Sequence, residues 1–149
     1  MDTLITFLIL MALGYGVGTF AEKRHYKSII KREKEFLNLP AVTLKTAYIP
    51  PEQVDSARLV HGSAVISIDY FKKILASLRN VFGGRVKSYE SLVDRARREA
   101  TLRMKEMAQD ADVIVNMRIE TAAVGKQANK KGVGCLEAIA YGTAITKKK

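Results

Sequence analysis

The stretch SYESLVDRARREATLRMKEMAQDADVIVNMRIE, residues 88–120, changes its apolar period partway along. Its first part places apolar residues three and four apart, which predicts an amphipathic helix capped by Ser88. The apolar positions of that helix are Leu92, Val93, Ala96, Ala100, Met104 and Met107. Residues 113–120 alternate apolar with polar or smaller residues, which is typical of a strand. The stretch therefore predicts a helix followed by a strand, and Ala96 and Ala100 are small enough to let a sheet approach closely.

The sequence on either side of this stretch predicts a mixed fold. CLEAIAYGTAIT, residues 135–146, alternates like a strand and follows the connection at residues 125–134. Residues 41–47 and 57–67 are strand candidates separated by the Pro50-Pro51 turn. A short amphipathic helix is predicted over residues 69–82, with Gly83 at its end. The order strand, strand, helix, helix, strand, strand indicates the α+β class.

The N-terminal segment is long and apolar enough to cross a membrane. Residues 3–21 carry no charge, and as a helix they would be about 28 Å long, close to the hydrocarbon thickness of a bilayer. A core helix and a cleaved signal peptide are the alternatives, but a signal peptide has positive charge before its apolar run and here only Asp2 precedes it. The basic residues follow the segment: Lys23, Arg24, Lys27, Lys31, Arg32 and Lys34. The positive-inside rule therefore predicts an uncleaved, single-pass inner-membrane anchor with a cytoplasmic C-terminal domain.

Small residues within the predicted anchor allow close helix packing. Gly14 and Gly18 are four residues apart, a spacing that lets another backbone approach, although glycine is also simply common in membrane helices. Beyond Ala21 the helix is expected to continue as a basic segment near anionic lipid head groups. Pro40 marks its join to the folded domain. The predicted division is an anchor with a juxtamembrane helix at residues 1–39 and an oligomerisation domain at residues 40–149.

Charge and cysteine content limit the possible partners. The 149-residue chain has 25 Lys and Arg against 15 Asp and Glu, and its net charge of +10 favours anionic lipid or nucleic acid. Part of the arginine is explained within the helix, because Asp94–Arg98 and Glu99–Arg103 are favourable i,i+4 pairs. Cys135 is the only cysteine, so one chain can form neither an internal disulfide nor a cysteine-based zinc cluster.

Three stretches resemble one known family. GGRVKSYE (residues 83–90), RARREATLRMKEMAQDADVIVNMRIE (residues 95–120) and AYGTAIT (residues 140–146) are similar to the YbjQ family of small bacterial and archaeal proteins. The resemblance covers residues 42–146 and leaves out the predicted anchor. It implies a dodecin-like subunit, a small antiparallel sheet packed on helices, that assembles into homopentameric, barrel-like rings. The family's biochemical role is not established, and its name refers to heavy-metal binding.

The candidate metal ligands are few and far apart in sequence. Soft metals bind thiolate and imidazole groups that converge on one point, and Cys135 and His61 are the weak candidates. A lone cysteine in a strand is most often a small hydrophobic residue. A ring can bring several copies of either side chain around its axis, so the sequence leaves that arrangement open. The sequence otherwise predicts no metal and no cofactor.

The glycine pair before the long helix has two interpretations. Gly83, Gly84, Arg85 and the helix start at Ser88 resemble an anion-binding turn, but the Gly-Lys-Ser/Thr ending of a phosphate loop is missing. The alternative, which we favour, is a turn between helices that also serves as a subunit contact in an oligomer.

The remaining patterns argue against catalysis and nucleic-acid binding. No nucleophile has a base at a meaningful spacing, so an enzyme is not predicted. The basic residues lack an aromatic stacking platform or a recognised motif, so no nucleic acid is expected. The sequence predicts a membrane-anchored homo-oligomeric ring, pentameric by resemblance, that acts as a scaffold or binding assembly. The alternatives are a metal- or small-anion-binding module and, less favoured, a nucleic-acid binder.

Overall fold

Two helices and a three-stranded sheet make up the part of the fold that the structure describes. The computed structural model describes residues 2–45, 49–67, 87–124 and 135–148. In chain order the elements are α1 (Asp2–Glu35), β1 (Val54–Ser67), α2 (Lys87–Glu106), β2 (Val113–Val124) and β3 (Cys135–Lys147), with a 3₁₀ turn at Pro51–Gln53 before β1. The strands are antiparallel in the order β1-β3-β2. The prediction of helices combined with an antiparallel sheet is confirmed.

Helix α2 packs directly on the backbone of β1. A Cβ atom added at Gly62 would collide with the carbonyl oxygen of Ala100 and the amide nitrogen of Met104, so only glycine fits there. Ala96 and Ala100 are fully buried, which confirms that small residues bring the helix close to the sheet. The rest of this layer is formed by Val60 and Ala64 of β1, Ala138, Ala140 and Ala144 of β3, and Ile114 of β2.

A β-bulge interrupts the alternation of β2. Asn116 has φ of 52°, a left-handed conformation that asparagine tolerates better than most residues. The register with β3 shifts between Val115 and Arg118, and Gly142 of β3 lies opposite the shift. A Cβ atom at Gly142 would be 2.8 Å from Ile114 Cγ2, so glycine makes room for the bulge. Ile114 and Val115 precede the bulge and pair in register with Ala144 and Thr143, so they lie on opposite faces of the sheet, and both are buried.

The predicted first strand at residues 41–47 is wrong for the part that the structure describes. Residues 41–45 run beside β2 but form only an isolated parallel bridge between Ala41 and Ile114. Their backbone hydrogen bonds continue, with Met117 N donating to Val42 O at 2.9 Å and Asn116 N donating to Leu44 O. The bulge distorts the edge of β2 here, so the segment follows it without forming a regular ladder.

The other predicted elements differ from the structure mainly at their boundaries. Strand β1 begins three residues before the predicted start at residue 57, while β2 and β3 contain the predicted strands 113–120 and 135–146. Helix α2 begins at Lys87, so Ser88 lies in its first turn and does not precede the helix. The predicted helix at residues 69–82 and the connection at residues 125–134 lie outside the described residues.

Candidate interaction surfaces

The second half of α1 packs against α2. Its inward residues recur every three or four positions, and Ile29 among them is fully buried. The hydroxyl of Tyr26 donates to the carbonyl oxygen of Ser91 at 3.0 Å, and Lys105 Nζ donates to the carbonyl oxygen of Phe36 at 3.2 Å. Later residues of α1 therefore meet later residues of α2, and the two helices run parallel. These contacts cross the predicted boundary between residues 39 and 40, and the domain division itself stays a prediction.

A buried carboxylate lies at the centre of this helix contact. Glu99 is only 4% exposed and accepts hydrogen bonds from Arg32 of α1 and from Arg103, its neighbour on α2, at 3.0 Å. His25 Nε2 is 3.3 Å from the same carboxylate, and Arg32 also donates to Glu106 at 3.1 Å. Burial by itself would raise the pKa of Glu99, but the hydrogen bonds and charges of Arg32 and Arg103 outweigh it, so the pKa is lowered. Glu99 is therefore held as a carboxylate between two guanidinium groups.

A second ion pair lies beside this cluster. Arg98 binds Glu33 through two parallel hydrogen bonds of 2.7 and 2.6 Å, and its guanidinium carbon is 5.9 Å from the centre of the Tyr26 ring. The hydrogen bonds from Arg98 lower the pKa of Glu33, and burial opposes them. Arg98 also contacts Asp94 at 3.4 Å, and Arg103 contacts Glu99 at 3.0 Å, so both predicted i,i+4 pairs are confirmed. The shorter bonds of Arg98 nevertheless go to α1.

The outer face of α1 carries its remaining cations. At about 100° per residue, these side chains fall within an arc of about 100° that faces away from α2. All of them are exposed: Lys23, Arg24, Lys27, Lys31 and Lys34. Among the described residues only Lys31 has an ion pair, a loose one of 3.9 Å with Glu35. The inward face of α1 thus packs on the domain. We call the five exposed cations of its outward face the basic stripe.

The first half of α1 is apolar and exposed. The helix is unbroken over 34 residues, and by length and composition it can cross a membrane. Within this half, Gly14 and Gly18 are half-buried, whereas a Cβ atom added at Gly16 would meet nothing within 4 Å. By helical periodicity Gly14 and Gly18 lie on the same side of α1 as Ile29 and Arg32. The small-residue face of the segment is thus continuous with the face that binds α2.

An open groove lies between α1, α2 and β2. Its volume is about 1010 Å³, and we call it the α1–α2 groove. Apolar side chains line it: Phe36 and Leu37 from the turn after α1, Val93 and Leu102 from α2, and Ile119 from β2. Charged side chains make its rim, namely Glu33, Glu90, Asp94, Arg97, Arg98 and Lys105. Among the described residues Arg97 forms no ion pair, and burial lowers the pKa of Lys105 despite the nearby Glu33.

The side of the sheet opposite α2 is apolar and exposed at its centre. Leu59 and Val65 of β1 are 70% and 59% exposed, and Ile139 and Tyr141 of β3 are 38% and 36% exposed. We call these four residues the bare sheet face, because no element of the described part of the chain covers them. In the strand register Glu137 lies beside Val65, Glu120 beside Ile139 and Arg118 beside Tyr141, so two carboxylates and one guanidinium group share this side.

The two candidate metal ligands are far apart in one chain. His61 is exposed on β1 opposite Tyr141, whereas Cys135 is half-buried at the start of β3 opposite Ser67. Six residues of strand separate their register positions, about 20 Å. Within the described residues no three His, Cys, Asp or Glu side chains are grouped for a metal ion. The two residues therefore do not fit a shared metal site within a single chain.

The structure describes only one of the four residues named for anion or subunit contact. Gly83, Gly84 and Arg85 lie outside the described residues, and Ser88 lies in the first turn of α2. The sequence also did not reveal that Glu99 and Arg32 meet across 67 positions. The available signal was the inward spacing of His25, Ile29 and Arg32, which gives one face of the juxtamembrane helix both apolar and charged residues.

Comparisons with known proteins agree on a family for most of the chain. Residues 41–148 match the family model YbjQ_1, described as "Putative heavy-metal-binding". A UPF0145 protein of Clostridium novyi is 33% identical over 70% of this chain and 96% of its own length, and one of Natronomonas pharaonis is 37% identical over 69% and 95%. A crystal structure from Pediococcus pentosaceus, of unknown function and assigned to the DUF74 family, has a TM-score of 0.46 at 16% identity over 74% of this chain and 98% of that one. The family match begins at residue 41, so α1 lies outside it.

Proposed function

Because this chain belongs to the YbjQ (UPF0145) family, whose model matches residues 41–148, we propose that it is a membrane-anchored, ring-forming scaffold or binding assembly. Residues 3–21 are the single-pass inner-membrane anchor, and the family domain is cytoplasmic. The observation that carries the proposal is the continuity of α1, whose apolar half leads without a break into a half that packs on α2. The domain is then held at a fixed distance from the bilayer, as a scaffold requires.

The basic stripe supports the cytoplasmic orientation, and the distance of each cation from the span decides whether it meets lipid. A continuous helix rises about 1.5 Å per residue, so Lys23 and Arg24 lie within about 5 Å of the end of the span at Ala21 and Lys27 within about 9 Å. Lys34 lies about 20 Å away. Head groups occupy roughly 5 to 8 Å on each side, and the Debye length is about 8 Å, so only the first three cations meet anionic lipid. Because its inward side packs on α2, this half of α1 stands away from the membrane surface and does not lie along it.

Topology is tested with a labelling experiment on the full chain. Cys135 is first replaced by serine, and a single cysteine is then introduced at Lys148, close to the C-terminus. In intact cells a membrane-impermeant maleimide should leave this cysteine unlabelled, and it should react after the inner membrane is opened. The protein should also stay in the membrane fraction after carbonate extraction. Labelling in intact cells, or release by carbonate, would contradict the anchor.

Ring formation is supported by the bare sheet face and by the edge of β1. Exposed apolar patches and unpaired strand edges favour association in water, and among the described strands β1 lies at an edge of the sheet. The pentameric number comes from the family resemblance. Native mass spectrometry of the full chain released from detergent micelles measures it directly. A single species of five copies is expected, whereas a monomer across micromolar concentrations would refute the ring.

The glycine-bearing anchors are expected to follow the ring and not to drive it. Copies joined through their domains hold their spans at a high effective concentration, so weak packing through Gly14 and Gly18 suffices. Replacing both glycines by leucine should change cross-linking between the spans and leave the number of copies unchanged. Dissociation of this variant into monomers would show that the anchors drive assembly.

Metal binding, which the family description names, requires residues from several copies. Cys135 and His61 of one chain are too far apart, so a site would form only where the same side chain from neighbouring copies meets around an axis. We propose instead that Cys135 has a structural role and binds no metal. Metal content measured by mass spectrometry on the purified oligomer should be the same for the wild type and for Cys135→Ser. A stoichiometric metal that is lost in this variant would favour the metal-binding alternative.

A further inference from the structure

Besides the apolar half of α1, the described part of the chain carries two apolar surfaces on different sides. The bare sheet face lies on the side of the sheet opposite α2, while the α1–α2 groove lies on the helix side and is bounded by Ile119 of β2. One surface presents the projecting side chains Leu59 and Val65, and the other is concave. Neither surface includes residues of the other, so a contact between them joins two different patches of neighbouring copies. Such a contact is heterologous, and it closes into a ring or continues as a filament.

The anchor selects the closed arrangement, and this step rests on the proposed function. If α1 crosses a bilayer in every copy, every α1 points along the membrane normal. Copies can then be related by rotation about an axis parallel to that normal or by translation within the membrane plane, and the rotation is the relation that closes. Successive head-to-tail contacts around such an axis stay in one plane and return to the first copy. A filament that climbs out of the membrane is excluded by the same constraint.

The charges around the two surfaces are complementary. Glu120 and Glu137 flank the bare sheet face and form no ion pair within the described part of the chain. Arg97 on the rim of the groove likewise has no carboxylate partner there. Lys105 on the same rim is partly desolvated, donates to the carbonyl oxygen of Phe36 and lies near Glu33. When the apolar surfaces meet, Glu120 or Glu137 of one copy thus faces Arg97 of the next, although the sheet side also carries Arg118 beside Tyr141.

We propose that the bare sheet face of one copy packs into the α1–α2 groove of the next copy around the ring. The interface buries Leu59, Val65, Ile139 and Tyr141 against Phe36, Leu37 and Val93. It pairs Glu120 or Glu137 with Arg97 at the rim. The occupant of the groove is therefore a second copy of this chain, and each copy both supplies the sheet face and offers a groove.

A cross-linking experiment on the full chain in detergent micelles distinguishes this contact from other assemblies. The background is Cys135→Ser, and the probes are Val65→Cys on the bare sheet face and Leu37→Cys, whose parent side chain is 74% exposed at the groove. After treatment with a short bismaleimide, each single variant should remain a monomer on a denaturing gel. The two single variants expressed together should give dimers, and the double variant on one chain should give a ladder that ends at the number of copies in the ring.

A matched control replaces Lys34 instead of Leu37. Lys34 lies on the outward face of α1, three residues before Leu37, so Val65→Cys with Lys34→Cys should give no ladder. Dimers from Val65→Cys alone would show that two sheet faces meet and would overturn the proposal. An oligomer by native mass spectrometry with no ladder from the double variant would overturn this interface while the ring stands. A monomer by native mass spectrometry would show that the chain forms no ring.

Charge reversal gives an independent measurement. Glu120→Lys and Glu137→Lys together bring like charges to Arg97 and should weaken assembly roughly tenfold or more, measured as the oligomer-to-monomer ratio. Adding Arg97→Glu to this variant should restore most of the assembly. Assembly that is unaffected by the first change, or not recovered by the second, contradicts the pairing.

Discussion

The two sides of α2 make contacts of different kinds. Toward the sheet, α2 presents alanine and methionine to the glycine and alanine of β1 and β3, and at the margin of this contact Arg103 donates to the carbonyl oxygen of Ser63 at 2.7 Å. Toward α1, it presents Arg98, Glu99 and Glu106, which bind Arg32 and Glu33. The first contact is set by how closely two backbones approach. The second depends on the ionisation of a few side chains.

This difference indicates which contact holds the domain together and which one attaches the anchor. Small residues at a close approach tolerate almost no change in volume, because the interior is already packed to high density. A charged helix contact is more forgiving, and it responds to pH and salt. We therefore expect the sheet side of α2 to determine whether the domain folds, and the α1 side to determine how rigidly the domain is joined to the membrane segment.

The largest effect is expected at Gly62. Gly62→Val adds a branched side chain where even a Cβ atom meets the backbone at Ala100 and Met104, so α2 must move off the sheet. The free energy of unfolding should fall by about 3 kcal/mol or more. Denaturant unfolding of the full chain in micelles, followed by circular dichroism, measures the change. The matched control is Ser63→Val, the next residue of the strand on the exposed side, which should change stability by less than about 0.5 kcal/mol. Equal losses in the two variants would contradict the close approach.

A smaller effect is expected at Glu99. Glu99→Ala leaves the guanidinium groups of Arg32 and Arg103 without their shared carboxylate and should cost about 2 kcal/mol. The loss should be local, so hydrogen exchange should rise in residues 22–35 of α1 while the amides of β1 and β3 stay protected. The control Asp94→Asn alters an exposed carboxylate on the same helix and should change exchange little. Equal exposure of the sheet would show that the two sides of α2 are not independent.

The sequence predicts the sheet side of α2 better than the α1 side, for a physical reason. Alternation in residues 113–120 and 135–146, and the spacing of Ala96 and Ala100, are local patterns that directly reflect burial. The pairing of Arg32 with Glu99 joins residues 67 positions apart, and each of them also has a plausible local partner. The strand predicted at residues 41–47 is wrong over the described residues 41–45, because local β propensity does not reveal the bulge at Asn116, which distorts the edge that this segment follows. The interaction surfaces depend in the same way on distant segments.

Acid should loosen the α1 side selectively. The arginine partners lower the pKa values of both Glu33 and Glu99. The two carboxylates therefore stabilise the contact between α1 and α2 above the ordinary carboxyl pKa, about 4.3, and this stabilisation is lost as the pH falls through the lowered values. Between pH 6 and pH 3 the exchange of residues 22–35 should rise more steeply than that of the sheet. In the double variant Glu33→Gln, Glu99→Gln, exchange of α1 should already be raised at pH 6 and should depend less on pH. A wild type and double variant with the same pH profile would show that other groups control the contact.

The smallest effect is expected at Arg98, where geometry and charge can be separated. Arg98 binds both carboxylate oxygens of Glu33 through parallel hydrogen bonds of 2.7 and 2.6 Å and lies over the Tyr26 ring. Arg98→Lys keeps the positive charge but cannot form the paired bonds, so it should cost less than about 1 kcal/mol, because both side chains are about one-third exposed. The readout is thermal unfolding together with exchange at residues 26–36. Arg24→Lys, on the exposed outward face of α1 and without an ion pair in the described part of the chain, is the matched control and should have no effect on either. If the two lysine variants are indistinguishable, charge alone accounts for the contact, and the paired geometry of Arg98 contributes nothing to holding α1 on the domain.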